Sequence, residues 1–168
     1  MHLFLVLSLS EESTLVVSKI KNGTVIDHIP AGKALDILAV LGINGKEGYR
    51  IAILMNVESK KLGKKDIIKI EDRMLSVDEL NIISLVAPRA TINIVEDFSV
   101  TAKHRVEVPN YIEGVLRCPN PTCVTNKRAE PIRTRFRTIS KDPIKLQCEY
   151  CGTVVIWDEI PKLIARKR

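Results

Sequence analysis

Four cysteines constrain this chain more than any other feature. They are its only ones, and they stand in two stretches, RCPNPTC at Arg117–Cys123 and LQCEYC at Leu146–Cys151. The spacing is Cys-x4-Cys, a gap of 24 residues, then Cys-x2-Cys. Two short chelating turns of this kind can wrap a tetrahedral zinc ion, and Cys118, Cys123, Cys148 and Cys151 are the expected ligands. Two disulfides are the competing arrangement. The chain carries no secretory signature, and disulfides are rare in the cytosol. A redox role would need one reactive pair at a helix start, whereas here two pairs match each other. Four protein thiolates leave no coordination position for water or substrate, so one zinc per chain is expected in a structural role.

The charge is unevenly placed. Residues 1–108 hold 14 basic and 14 acidic side chains, and residues 109–168 hold 12 and 6, so the whole excess lies in the cysteine-bearing part. Pro109 follows a strand-like run at the same point, which divides the 168 residues into two expected domains, 1–108 and 109–168. Aromatic residues make up only 4% of the chain, so both cores must be built from Ile, Val and Leu. The opening MHLFLVLSLS is apolar but lacks a basic n-region and a small-residue cleavage site, and it is too short to span a bilayer. It is read as an added segment that packs or frays, and neither a membrane nor a targeting role is expected.

The first part alternates strand and helix signals. Thr14–Ile20 and Thr24–Ile29 are β-branched runs around a turn signal at Asn22-Gly23. KALDILAVLG spaces Leu35, Leu38 and Leu41 as one helix before Gly42. Tyr49–Val57 and Lys64–Asp72 read as strands, and Ser76 with Glu79 forms a capping box for a helix that Ala87-Pro88 stops. TINIVED and FSVTAKH add two more strands. This order predicts a ferredoxin-like α+β fold: an antiparallel sheet with both helices on one face, followed by a small zinc-bound antiparallel β domain.

Polar residues interrupt these strands. Asp27 and His28 end one, Lys69 and Asn93 sit inside two others, and Lys103 with His104 ends the last. Singly, each reads as a solvated face or a strand end. Together they offer a carboxylate for sugar hydroxyls and cations for phosphate along one edge of the sheet. No Gly-rich phosphate loop accompanies them, and no nucleophile or metal carboxylate is organised beside them. A nucleotide held here would be sensed and not hydrolysed.

NGTVIDHIPAGKAL, LGKKDIIKIED, APRATINIVEDF and the pattern CPNPTC…CEYC together resemble the regulatory chain of aspartate carbamoyltransferase, over about Val17 to Val155. The resemblance implies a cytoplasmic, non-catalytic subunit in pyrimidine biosynthesis. It implies a homodimer formed through the N-terminal domains, which bind CTP or ATP as allosteric effectors, and a zinc domain that grips catalytic trimers. Carried over, Asp27 and Lys69 would meet the ribose, and Lys103 and His28 the triphosphate. Asn93, Val95 and Val100 would line the same pocket. The base would lie against Val17 and Ile20, meet backbone groups at Ser18 and Lys19, and have Phe98 on its other side. Relative to the enterobacterial pattern, Ser18 and Lys19 replace an acidic and a small residue, and Phe98 replaces a tyrosine.

Arg133, Arg135 and Arg137 alternate, and on a strand they would share one face, which suits phosphate as well as an acidic protein surface. A nucleic-acid-binding zinc ribbon is therefore the alternative. Few aromatics are available for base stacking, and Trp157 and Tyr150 are as well used in a core. No specific nucleic-acid partner is expected.

Overall fold

The computed structural model describes residues 18–129 and 131–164. Two antiparallel sheets divide the strands. The first joins β1 (Gly23–Pro30), β2 (Ile51–Ser59), β3 (Gly63–Glu71), β4 (Thr91–Glu96) and β5 (Ser99–Arg105) in the order β2-β3-β1-β4-β5. The second joins β6 (Tyr111–Glu113), β7 (Arg135–Lys141), β8 (Ile144–Cys148) and β9 (Val154–Ile156) in chain order. With α1 (Ala34–Val40) after β1 and α2 (Val77–Val86) after β3, the first sheet has the expected α+β arrangement with β5 as its extra edge strand.

Alternation along the strands sets the two faces. Ile26, Ile68, Ile70 and Ile92 are buried and form one apolar cluster with Ala34, Ile37 and Leu38 of α1 and Ile83, Leu85 and Val86 of α2. Val25, Lys69 and Asn93, one step along their strands, are only half-buried. Both helices therefore cover one face and leave the other open. The helix spacing was legible but its face was not. Leu35 is 58% exposed, and Ala34–Ile37–Leu38 forms the buried stripe instead. In α2 the reciprocal capping box is present: Ser76 Oγ accepts from Glu79 N, and the Glu79 carboxylate accepts from Ser76 N at 2.8 Å. A cap of this kind contributes about 1 kcal/mol.

Of the expected strand at Thr14–Ile20, residues 14–17 lie outside the described residues, as does MHLFLVLSLS, and Ser18–Ile20 is not a strand. Asn22 does not close a hairpin. Its carbonyl accepts from Asp72 N at 3.1 Å and its Oδ1 from Asp97 N at 3.0 Å, tying the entering chain to the ends of β3 and β4. Gly23 follows at φ +133°, and a Cβ there would stand 2.1 Å from the Ile70 carbonyl oxygen. Only glycine lets β1 start so close to β3.

The second sheet has its own centre in Phe136, Leu146, Ile144 and Val155. Phe136 is its fully buried aromatic. Tyr150 is 48% exposed and so is not a core residue, whereas Trp157 packs partly buried against the apolar cluster. The indole Nε1 donates to the carbonyl of Val86 at 3.1 Å. One of the carbonyls left without a partner at the end of α2 is thus satisfied from the other sheet. Lys33 lies 5.2 Å from the centre of the Trp157 ring, a second contact across the joint. Among the described residues no helix is long and apolar enough to cross a membrane.

Candidate functional site

The open face of the first sheet gathers most of the polar residues singled out above. Register sets Lys69 opposite Val25, Val25 opposite Asn93 and Asn93 opposite Lys103, so these stand in one row across β3, β1, β4 and β5. Directly opposed residues of an antiparallel sheet share a face. Asp27 and His28 are adjacent in sequence and in a regular strand would point to opposite faces. A bulge prevents this. Between the pairs Ile26–Ile68 and Ile29–Asp66, both residues oppose Ile67 alone, and His28 takes φ +58°. The Asp27 carboxylate consequently lies 3.4 Å from His28 Nδ1, which also hydrogen-bonds Thr91 Oγ1 at 2.8 Å.

The bulge is held from below by Asp66, which is fully buried. Its Oδ2 accepts from Ala34 N at 3.0 Å and its Oδ1 from Asn56 N at 2.9 Å. The first bond caps α1, whose N-cap residue Lys33 makes no side-chain cap. The second fixes a matching bulge in β2, where the register shifts between Leu54 and Val57.

Charge concentrates around this bulge. Lys65 Nζ meets Asp27 Oδ1 at 2.8 Å. Burial pushes the Asp27 carboxyl up, but the hydrogen bond and charge of Lys65 and the backbone N–H of His28 outweigh it and hold the group below its usual range. His28 is held below its ordinary value chiefly by burial, with Lys65, Lys61 and Lys103 adding to the effect against the opposing pull of Asp27. A cleft of about 380 Å³ opens beside it, lined among others by His28, Lys61, Arg89, Thr91, Lys103 and Arg105. Among the described residues no acidic side chain pairs with Lys61, Lys103 or Arg105. Such a pocket suits a polyanion.

At the other end of β1 the chain enters as Ser18–Asn22. The Ser18 carbonyl accepts from Lys69 Nζ at 3.1 Å, and the Lys21 carbonyl from Phe98 N at 2.9 Å. Asp97 and Phe98, at φ +46° and +63°, form the tight turn between β4 and β5. Phe98 and Val100 are exposed there, at 55% and 61%, while Ile20 and Val95 are buried. Ser18, Lys19 and Ile20 therefore run beside an apolar turn, and Val17 lies outside the described residues. From Gly23 to Asp27 the strip is roughly 13 Å long at the usual strand rise.

The four cysteines converge although 24 residues separate the pairs. Their Sγ atoms lie within 4.8 Å of one another, with Cys118 to Cys151 at 3.5 Å and Cys123 to Cys148 at 3.9 Å. Sulfurs about 2.3 Å from a tetrahedral metal stand ~3.8 Å apart, so the set fits such an ion. These distances are far from the ~2.05 Å of a disulfide, and all four cysteines are free. Asn126 Nδ2 donates to the carbonyls of Cys118 and Asn120, both at 2.8 Å, and fixes the first chelating loop. Burial pushes the Cys118 and Cys148 thiols up. Cys151 is exposed, and the Thr153 hydroxyl beside it draws its thiol down to about 6. The Cys118 and Cys148 thiols therefore depend on a cation to lose their protons, as metal binding requires.

Comparison with known proteins matches both halves. Residues 15–107 match the family described as aspartate carbamoyltransferase regulatory chain, allosteric domain, and residues 110–161 match its metal binding domain. The chain belongs to the aspartate carbamoyltransferase regulatory chain family. It is 58% identical over 153 residues to the regulatory chain of Hyperthermus butylicus, covering 91% of this chain and 96% of that one. It is 54% identical over 158 residues to the regulatory chain of Saccharolobus solfataricus, covering 94% and 99%. The chain is thus a non-catalytic regulatory subunit with an allosteric and a metal-binding domain, and the cysteine cluster is its metal centre.

Within this regulatory chain, sequence reasoning did not find Lys61, Lys65, Arg89 or Arg105. Lys65 lies four residues before Lys69 and reads as an ordinary polar residue at the start of the strand Lys64–Asp72. Arg89 and Arg105 were hidden by the Pro88 connection and the end of β5. Arg135 and Arg137 alternate about buried Phe136 as expected, but both are engaged locally. Arg135 meets Glu149 at 3.0 Å and stacks 4.8 Å from the centre of the Tyr111 ring, and Arg137 donates to Gln147 at 3.1 Å.

Proposed function

We propose that this regulatory chain binds CTP and ATP competitively on the open face of its first sheet, within residues 1–108. Residues 109–168 then pass the effect, through a zinc-stapled second sheet, to trimers of the catalytic chain. The row Lys69, Val25, Asn93 and Lys103 beside the Asp27–His28 bulge carries the reading. The strip is apolar at the Phe98 turn, carries Asp27 and Lys69 where a ribose would lie, and is cationic at the cleft of His28 and Lys103. That polarity matches base, sugar and phosphates in order. Ser18, Lys19 and Ile20 supply backbone groups to the base, and Val95 and Val100 its apolar wall, with Val17 as the remaining contact.

Zinc is the metal this thiolate set suits best, since four cysteines close a tetrahedron without preference for another geometry. The exposed loop between Cys118 and Cys123, with Pro119 and Pro121, is the proposed docking surface for the catalytic chain in the cytoplasm, where thiolates stay reduced. A homodimer through the first sheet is supported by β2, an edge strand with Ile53 and Met55 40% and 37% exposed. Unpaired edges with apolar side chains favour pairing with another chain.

The test is reconstitution. The purified chain alone should show no carbamoyltransferase turnover, yet its addition to catalytic trimers should make their rate respond to CTP and ATP. Trimers whose rate stays indifferent to both nucleotides would overturn the reading.

His28 adds a signature in pH. Its pKa is depressed in the free chain, and a polyphosphate placed beside it favours the charged ring, so binding should take up a proton. Affinity should therefore tighten as pH falls from about 7.5 to 6, across the usual histidine range. Calorimetry in two buffers of different ionisation enthalpy measures the uptake, and His28→Gln should remove it. Equal uptake in His28→Gln would assign the proton elsewhere.

A further inference from the structure

One side chain belongs both to the cationic cleft and to the contact between the sheets. Arg89 follows the Pro88 that ends the α2 connection, and it lines the cleft together with His28 and Lys103. Its Nη2 also donates to Asp142 Oδ2 at 3.0 Å. Asp142 lies in the turn between β7 and β8, and β8 ends at the metal ligand Cys148. The guanidinium thus has two claimants, a carboxylate across the joint and any anion that enters the cleft.

The carboxylate is the weaker of the two. Both partners are well exposed, at 64% and 77%, and exposed ion pairs are screened and contribute little. A polyphosphate brings more negative charge and offers a guanidinium the paired oxygens that suit its fork. Other contacts at the joint, such as Trp157 to Val86, Lys33 to Trp157 and Lys33 to Asp158 at 4.0 Å, involve no residue of the cleft and need not change.

We propose that Arg89 is a switch side chain: phosphates entering the cleft draw it away from Asp142 and release the β7–β8 turn from the first sheet. The proposal rests on the nucleotide reading above. Because coupling is reciprocal, removing Asp142 must strengthen effector binding, and any assembly state that tightens the Arg89–Asp142 pair must weaken it. The size of an exposed ion pair sets the expected effect at about two- to five-fold in affinity.

A double-mutant cycle on the full chain tests this, with CTP and, separately, inorganic tripolyphosphate titrated calorimetrically. Asp142→Asn should tighten both by about two- to five-fold, and Arg89→Gln should weaken both. In the Arg89→Gln background, Asp142→Asn should have no further effect. Thermal melts without ligand confirm that each variant is folded. An unchanged affinity in Asp142→Asn, or the same change with and without Arg89, overturns the switch. Lys103→Ala separates the two readings. If it weakens CTP while Asp142→Asn does nothing, only the switch fails, and if it too leaves CTP unaffected, the nucleotide site fails with it.

Discussion

Stripping the metal from the full chain should release one zinc per chain and unfold residues from about Pro109 onward, while the first sheet stands. The second sheet is small: β6 and β9 are three residues each. Its apolar centre is limited to side chains such as Phe136, Ile144, Leu146 and Val155. A structural zinc contributes apparent folding free energy on the order of 10 to 16 kcal/mol in small zinc peptides, more than a core of this size supplies. The first sheet has no cysteine and is covered by two helices. Chelation, or a mercurial entering at exposed Cys151, should therefore abolish amide protection in β6–β9 and detach the catalytic partner, with CTP binding largely retained. Hydrogen exchange and metal analysis check it. A metal content well below one per chain, or protection in β7 and β8 that survives complete metal removal, would remove the structural role from the four cysteines.

Lys103→Ala should weaken CTP and ATP together by roughly 10- to 100-fold. Lys103 stands opposite Asn93 in the cross-strand row and lines the cleft. A charge-assisted contact to phosphate is worth about 1.5 to 3 kcal/mol, which is one to two decades of affinity. The phosphates are common to both nucleotides, so the ratio of their affinities should stay near its original value. Lys103 is exposed and in no ion pair among the described residues, so the melting temperature of the free chain should hardly move. Calorimetric titration decides it: a loss confined to one nucleotide would place Lys103 at the base, and undiminished binding of both would move the site elsewhere.

What could be read without coordinates was local. Ser76 with Glu79 names a helix start because two side chains and two backbone N–H groups three residues apart satisfy each other. The cysteine pairs name a metal because chelation by short turns depends on spacing alone. Leu35 was misplaced because Leu at every third position fits two neighbouring helix faces, and only the packing of α1 on Ile68 and Ile70 chooses between them. The candidate site on the open face was half legible. Asp27, His28, Lys69, Asn93 and Lys103 stood out as polar interruptions of apolar strands. Lys61, Arg89 and Arg105 did not, because basic residues in turns and at strand ends are ordinary. Their shared cleft depends on how β4, β5 and the β2–β3 turn are arranged around one bulge. That bulge depends in turn on Asp66, which in sequence is one more charge in a lysine-rich run.

The joint between the sheets carries its own optical gauge. Trp157 is the chain's single tryptophan. Its N–H is held by the last carbonyl of α2, and an ammonium lies over its ring. All indole emission from the subunit therefore originates at this seam, with no second fluorophore of that kind to dilute it. A seam that parts would let water reach the ring and shift its glow toward the red, and one that merely slides would alter brightness through Lys33 while the colour holds. Light from an unlabelled molecule can thus follow how its two halves move against each other, in the same cuvette in which effector is added.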